Sequence, residues 1–176
     1  MTSFDNTLVV TADAATPQRG TLRYGARTWP CVLGRSGIIA QKQEGDGGTP
    51  AGRFPLRRVL YRADQLSVPA TALPVAVIAE DDGWCDDPAD AAYNKPVKLP
   101  YGASAETMYR DDGLYDVVVI IGHNDDPVVP RAGSAIFMHV TPDNGGFTAG
   151  CVALAREDLL ALLRAVKPGA NIEIRA

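Results

Sequence analysis

Val117-Val-Val-Ile-Ile121 and, a little further on, Ala135-Ile-Phe-Met138 are the stretches on which the fold turns. Both are continuous apolar runs without the polar alternation of a half-exposed strand, so they predict strands covered on both faces at the centre of a β-domain. Working outward, residues 7–10, 28–33, 73–79, 115–121 and 134–140 share a wealth of β-branched and apolar side chains, punctuated by Gly, Pro, Asn and Asp. The pattern predicts a mainly antiparallel, β-sandwich-like mixed sheet. One helix stands out: Leu159, Leu162, Leu163 and Val166 fall on one face, Glu157 and Asp158 occupy its first turn, and Lys167-Pro-Gly169 stops it. Asn171-Ile-Glu-Ile-Arg175 then alternates as a closing strand should. Residues 63–67 and 103–109 are weaker helix candidates. The expected fold class is mainly β with one C-terminal amphipathic helix packed on the sheet, and residues 1–176 form a single domain.

Composition narrows the function. With 46% hydrophobic and 22% charged residues the chain has material for a core, and a net charge of −4 offers no electrostatic reason to bind nucleic acid or an anionic membrane. Cys31, Cys85 and Cys151 leave an odd thiol whatever pairs form, barring a link to another chain, and none has the spacing of a zinc site. Cys31 and Cys85 read as structural. Met1-Thr-Ser-Phe-Asp-Asn6 lacks the features of a secretory leader, and no segment is apolar enough to span a bilayer. The chain as given reads as soluble, with its compartment open.

The chemistry gathers in the last third. The two histidines, His123 in Ile121-Gly-His-Asn124 and His139 in Phe137-Met-His-Val140, each follow one of the continuous strands. Strand ends are where a rigid scaffold aims a side chain into a cleft. Thr148-Ala-Gly-Cys151 then brings a cysteine through small residues to a position shortly before the helix. The positive end of a helix and a nearby imidazolium both favour thiolate, so an accessible, acidic Cys151 with His139 as its base is expected. The amides around Gly150 and Cys151 are candidate oxyanion donors.

These residues resemble the L,D-transpeptidase catalytic domain, or YkuD, family, whose signature is a strand histidine, a loop, then Ser or Thr, any residue, Gly, Cys. Here His139, Thr148, Gly150 and Cys151 match it, and Gln43-Glu-Gly-Asp-Gly-Gly-Thr-Pro-Ala-Gly-Arg-Phe-Pro55 looks like the family's Gly-Thr-Pro-x-Gly-x-Phe segment. The resemblance covers roughly residues 7–175. It implies attack by Cys151 on the L-centre carbonyl of meso-diaminopimelate in a peptidoglycan stem peptide, with His139 moving the protons. Aminolysis of the thioester by an acceptor stem then makes a 3-3 crosslink or, in a divergent branch, a 1-3 crosslink. It also implies a periplasmic or cell-wall setting and no metal or organic cofactor. Two departures mark a divergent branch: only residues 140–147 separate His139 from Thr148, and Cys151-Val-Ala-Leu154 lacks the arginine that commonly follows the nucleophile. Arg131 and Arg156 are candidate replacements as carboxylate clamp.

Other residues carry two readings. His123 and Asn124 either orient substrate or shape a turn, and Trp84 and Tyr93 either line a groove for glycan or stem or belong to the core. Ala149 and Thr148 sit in the candidate oxyanion turn. The glycines of residues 44–52 lack phosphate-loop spacing and read as a turn. Alternatives to the transpeptidase are an L,D-carboxypeptidase using the same site, a non-catalytic cell-wall binding module, and, more distantly, a metal hydrolase built on His123, His139, Cys151 and an aspartate.

Overall fold

The structure, a computed structural model, describes residues 6–142 and 145–176. The chain opens with β1 (Thr7–Ala12), β2 (Arg19–Tyr24) and β3 (Arg27–Val32), then two short strands, β4 (Ile38–Ile39) and β5 (Thr49–Pro50). A long strand, β6 (Gly52–Tyr61), leads to β7 (Val75–Val77), β8 (Asp82–Cys85), β9 (Pro96–Lys98) and β10 (Ala105–Thr107). The last third holds β11 (Val117–Ile121), β12 (Phe137–Val140), β13 (Val152–Leu154), the helix α1 (Arg156–Ala165) and β14 (Asn171–Arg175).

The main sheet runs β11-β12-β13-β3-β2-β1-β14-β6-β7, and a further pairing of β11 with β6 brings it back on itself, so that opposite walls face each other across the core. Most of its pairings are antiparallel, while β1–β14, β12–β13 and β6–β7 are parallel. A smaller sheet, β10-β8-β9, lies outside it. This is the mixed, sandwich-like architecture expected from the strand pattern.

The two continuous runs are buried on both faces. In β11, Val117, Val119 and Ile121 enter the main core with α1, whereas Val118 and Ile120 enter a second core beneath the small sheet with Trp84, Met108, Tyr115, Phe137 and Cys151. α1 contributes Leu159, Leu162 and Leu163 to the main core. Burying each such side chain is worth roughly 1.5–3 kcal/mol. Neither weaker helix candidate is helical: residues 105–107 form β10, whose Glu106 lies across from Trp84, and residues 63–67 form a turn after β6. Among the described residues no helix is long and apolar enough to cross a membrane.

Candidate active site

The two halves of the sequence signature meet in space. Thr148 is tied to the end of β3, its amide donating to the Leu33 carbonyl at 3.1 Å and its own carbonyl accepting from Arg35 at 2.9 Å. Its hydroxyl donates to the Cys151 carbonyl at 2.7 Å and accepts from the Gly150 amide at 3.1 Å, closing the turn. Gly150 has φ 139°, a backbone open only to glycine, and a Cβ there would lie 2.8 Å from the Gly48 carbonyl oxygen. Thr49 in turn accepts from the Gly34 amide at 2.8 Å. The glycine-rich loop is therefore a brace packed behind the cysteine turn.

Cys151 is 7% exposed. Its thiol donates to the Ala135 carbonyl at 3.2 Å, and its sulfur accepts from the Phe137 amide at 3.4 Å. Ala135 has φ 53°, which for a residue with a Cβ costs roughly 1–2 kcal/mol. The Asn94 side chain holds it there, accepting from the Ala135 amide at 3.0 Å. The expected strand over residues 134–140 consequently begins only at Phe137. Phe137 and His139 alternate onto the same face, which places the imidazole about 7 Å along the strand from the sulfur's anchor. His139 is 5% exposed, and its Nδ1 lies 2.7 Å from the Val140 carbonyl oxygen. A carbonyl only accepts, so the neutral ring carries its proton on Nδ1 and offers Nε2 as a base.

The expectation of an acidic, accessible thiol is corrected on both counts. β13 intervenes between Cys151 and α1, so the positive end of the helix is not at the sulfur. Burial, aided by the Glu106 charge, pushes the Cys151 thiol up to about 12, and burial pushes His139 down to about 4. At neutral pH the resting pair is thiol and imidazole, not thiolate and imidazolium.

Both residues line one cleft of about 360 Å³. Tyr115 forms part of its wall, with its ring edge-on to His139 at 5.3 Å and its hydroxyl donating to Glu106. Arg110 lies over the same ring at 5.1 Å and is paired with Asp112. Lys42, almost fully buried, is paired with Asp46 at 2.5 Å and favours the thiolate electrostatically. Arg35, Lys42 and Arg110 are thus the cations of the cleft. Arg131 and Arg156 are not among its walls: Arg156 is bound by Asp116 beside a separate cavity, and Arg131 contributes its carbonyl to Glu44.

The other expected site residues divide. Thr148 and Ala149 line the cleft, whereas the Gly150 amide is already taken by Thr148. Trp84 and Tyr93 are buried and lie outside the walls of the Cys151 cleft, and Trp84 lines a separate cavity together with His123. Trp84 packs edge-on against Phe137 at 5.1 Å and donates to Asn94, and Tyr93, 2% exposed, donates to Glu44 and accepts from the Gly133 amide. His123 lines a different cavity with Arg57, Lys95 and Asp125, and its ring meets Phe54 edge-on at 5.2 Å. Asn124 caps its own loop, donating to the carbonyls of Val129 and Gly133. Among the described residues no three His, Cys, Asp or Glu side chains are gathered to hold a metal, and all three cysteines are free thiols. Sequence reasoning missed Asn94, Glu44, Glu106 and Tyr115, whose partners lie far along the chain.

The profile of the L,D-transpeptidase catalytic domain, YkuD, matches residues 8–174. Among solved structures the chain is similar to L,D-transpeptidase 1 of Mycobacterium tuberculosis, at 14% identity and a TM-score of 0.42, over 96% of this chain and 59% of that one. It is also similar to the helical cell shape determining protein Pgp2 of Campylobacter jejuni, at 15% identity and a TM-score of 0.45, over 95% of this chain and 46% of that one. The chain therefore spans about half the length of these structures. Comparison with curated proteins finds no match.

Proposed function

The chain belongs to the L,D-transpeptidase catalytic domain family, and from that premise we propose that it is a cysteine-nucleophile acyltransferase that crosslinks peptidoglycan stem peptides. The observation that carries this reading is the shared cleft: Cys151 and His139 open into it, and the imidazole is held in the tautomer that leaves Nε2 basic.

The resting neutral pair sets the order of events. The donor carbonyl, the L-centre of a diaminopimelate residue, enters beside Cys151. The Sγ–H proton passes to His139 Nε2 as the sulfur bonds to the carbonyl carbon. The oxyanion falls to the amides of Ala149 and Cys151 and, after rotation of Thr148, to that of Gly150. The tetrahedral adduct collapses, the C–N bond breaks, and His139 returns the proton to the departing D-amino acid amine. A thioester remains. An acceptor amine then attacks it, His139 accepts the amine's proton, and collapse of the second adduct forms the new amide and restores the thiol. The Tyr115 ring, edge-on to the imidazole and backed by Phe137, keeps water from it and strengthens the electrostatics of both steps.

The same residues would carry out carboxypeptidase action if water replaced the acceptor amine. Such substrates place the working protein in the periplasm or at the wall. The test is mass spectrometry of muropeptides after incubating the protein and its Cys151→Ala variant with disaccharide tetrapeptides and tripeptides. Dimers made only by the unchanged protein are expected, and fragmentation distinguishes 3-3 from 1-3 links. Trimmed monomers alone would reassign it as a carboxypeptidase. No change in either sample would sink the enzymatic reading and leave a wall-binding module.

A further inference from the structure

Asn94, between β8 and β9, joins the small sheet to the segment that grips the sulfur of Cys151. It is 5% exposed, and every hydrogen-bonding position of its amide is used. Oδ1 accepts from the Trp84 indole at 2.9 Å and from the Ala135 amide at 3.0 Å, while Nδ2 donates to the carbonyls of His123 at 3.1 Å and Asn124 at 2.7 Å. Its φ of 56° is one that asparagine tolerates and most side chains do not. Neither a carboxylate, which cannot donate, nor an apolar side chain reproduces this set of bonds.

What the amide holds bears directly on the thiol. An alanine favours extended or helical backbone, but the bond from the Ala135 amide to Asn94 keeps this one at a φ of 53°, outside β12. In that conformation its carbonyl faces Cys151 and accepts the thiol's hydrogen bond at 3.2 Å. A thiol has one proton, so while it lies on Ala135 it is not on the path to His139 Nε2. The preceding residues are fastened by other groups: the Gly133 amide donates to the Tyr93 hydroxyl at 3.1 Å, and the Ser134 hydroxyl donates to Glu44 at 2.7 Å. Asn94 fixes the Ala135 peptide itself.

We propose that Asn94 is a positioning residue for the nucleophile: it turns the Ala135 carbonyl onto Cys151 and thereby keeps the resting thiol proton away from His139. The role rests on Cys151 being the nucleophile. The acyl-transfer cycle then opens with a turn about the Cβ–Sγ bond, which frees the S–H from Ala135 before Nε2 takes the proton. A hydrogen bond that the thiol donates favours its neutral form, whereas the bond that the sulfur accepts from the Phe137 amide favours the anion. Withdrawing the Ala135 carbonyl therefore makes the thiol easier to ionise.

Infrared difference spectra against Cys151→Ala isolate the Cys151 S–H stretch, which lies lower when the thiol is hydrogen bonded. Asn94→Gly removes the amide without straining a φ of 56°, and water from the cavity that Asn94 lines can reach the groups it leaves. This variant should move the band to higher wavenumber and speed alkylation of Cys151 at neutral pH by about three- to tenfold, the worth of one net hydrogen bond. Adding Ala135→Gly should reverse part of both changes, because glycine takes the left-handed conformation unaided. Ala135→Val, which resists that conformation with Asn94 intact, should move the band in the same direction, and it decides the matter if Asn94→Gly does not fold. A band unmoved in either Asn94→Gly or Ala135→Val overturns the proposal, as does an unchanged protein whose band already lies where a free thiol's does. A shift that glycine at position 135 fails to reverse would make Asn94 a general prop of the fold and overturns it too. These readouts follow the resting thiol, whereas turnover of stem peptides decides the acyltransferase reading, so the two can fail separately.

Discussion

Alkylation of Cys151 as a function of pH decides between a resting thiol and a resting thiolate. With the thiol pushed up to about 12, roughly one sulfur in 10⁵ is ionised at neutral pH. An ordinary exposed cysteine, with a pKa of about 8.5, is a few per cent ionised there. Iodoacetamide should therefore modify Cys151 on the order of 10³-fold more slowly than a free thiol at pH 7, before any added hindrance from burial. The rate should climb about tenfold per pH unit between about pH 6 and pH 9, because the thiolate fraction does. Peptide mapping by mass spectrometry separates Cys151 from Cys31, whose thiol burial also pushes up to about 12, and from Cys85, which is raised by burial. Glu106→Gln removes a charge that holds the Cys151 thiol up, so the variant should alkylate faster at every pH. A rate that is flat from about pH 6 to pH 9 would show a preformed thiolate–imidazolium pair and refute the reasoning.

Three further outcomes are expected. Gly150→Ala forces a Cβ against the Gly48 carbonyl at a φ of 139°; a loss of about 3 kcal/mol, read as a fall in Tm of roughly 6–12 °C, is expected, and an unshifted melt would mean the turn relaxes freely. Burial lowers both His123 and His139 from 6.5 to about 4, so each resists protonation in the folded state. Their contribution is intact above pH 6.5 and is lost as the pH falls towards 4, by about 3 kcal/mol each. Urea unfolding at the two ends of this window should show the loss, His123→Gln should remove about half of it, and an identical loss in that variant would count against the burial argument. Tyr115→Phe keeps the ring edge on His139 but takes the donor from Glu106, costing about 1–3 kcal/mol of stability with kcat little altered, whereas Tyr115→Ala should also lower kcat more than tenfold. Equal kcat in the two variants would show that the ring does not hold the imidazole.

What the sequence revealed, and what it hid, follows the range of the interactions. β11, β12 and α1 were legible because their burial is written in consecutive or helically spaced side chains. β13 escaped notice since Val152-Ala-Leu154 reads equally well as the approach to a helix, and this also gave the wrong sign for the acidity of Cys151. The sulfur's environment is tertiary: Ala135, Phe137 and Glu106 come from elsewhere in the chain. β6 was only partly legible, because Arg53, Arg57 and Arg58 interrupt its apolar pattern while its backbone pairs with three different strands. Asn94 and Glu44 look like turn residues in isolation. Their bonds to Ala135 and Ser134 cross 41 and 90 positions of chain, and no local window contains them.

The way the main sheet returns on itself has a consequence for how the chain reaches its native state. β14 sits between β1 and β6, pairing parallel with one and antiparallel with the other. Without residues 171–175 both neighbours would present unpaired edges, templates for association with other chains. The ladder between Thr7 and Asn171 also joins positions far apart in the chain, a loop whose closure entropy has to be met before this non-local pairing rewards it. During synthesis the edges of β1 and β6 therefore stay open until residues 171–175 emerge and insert between them.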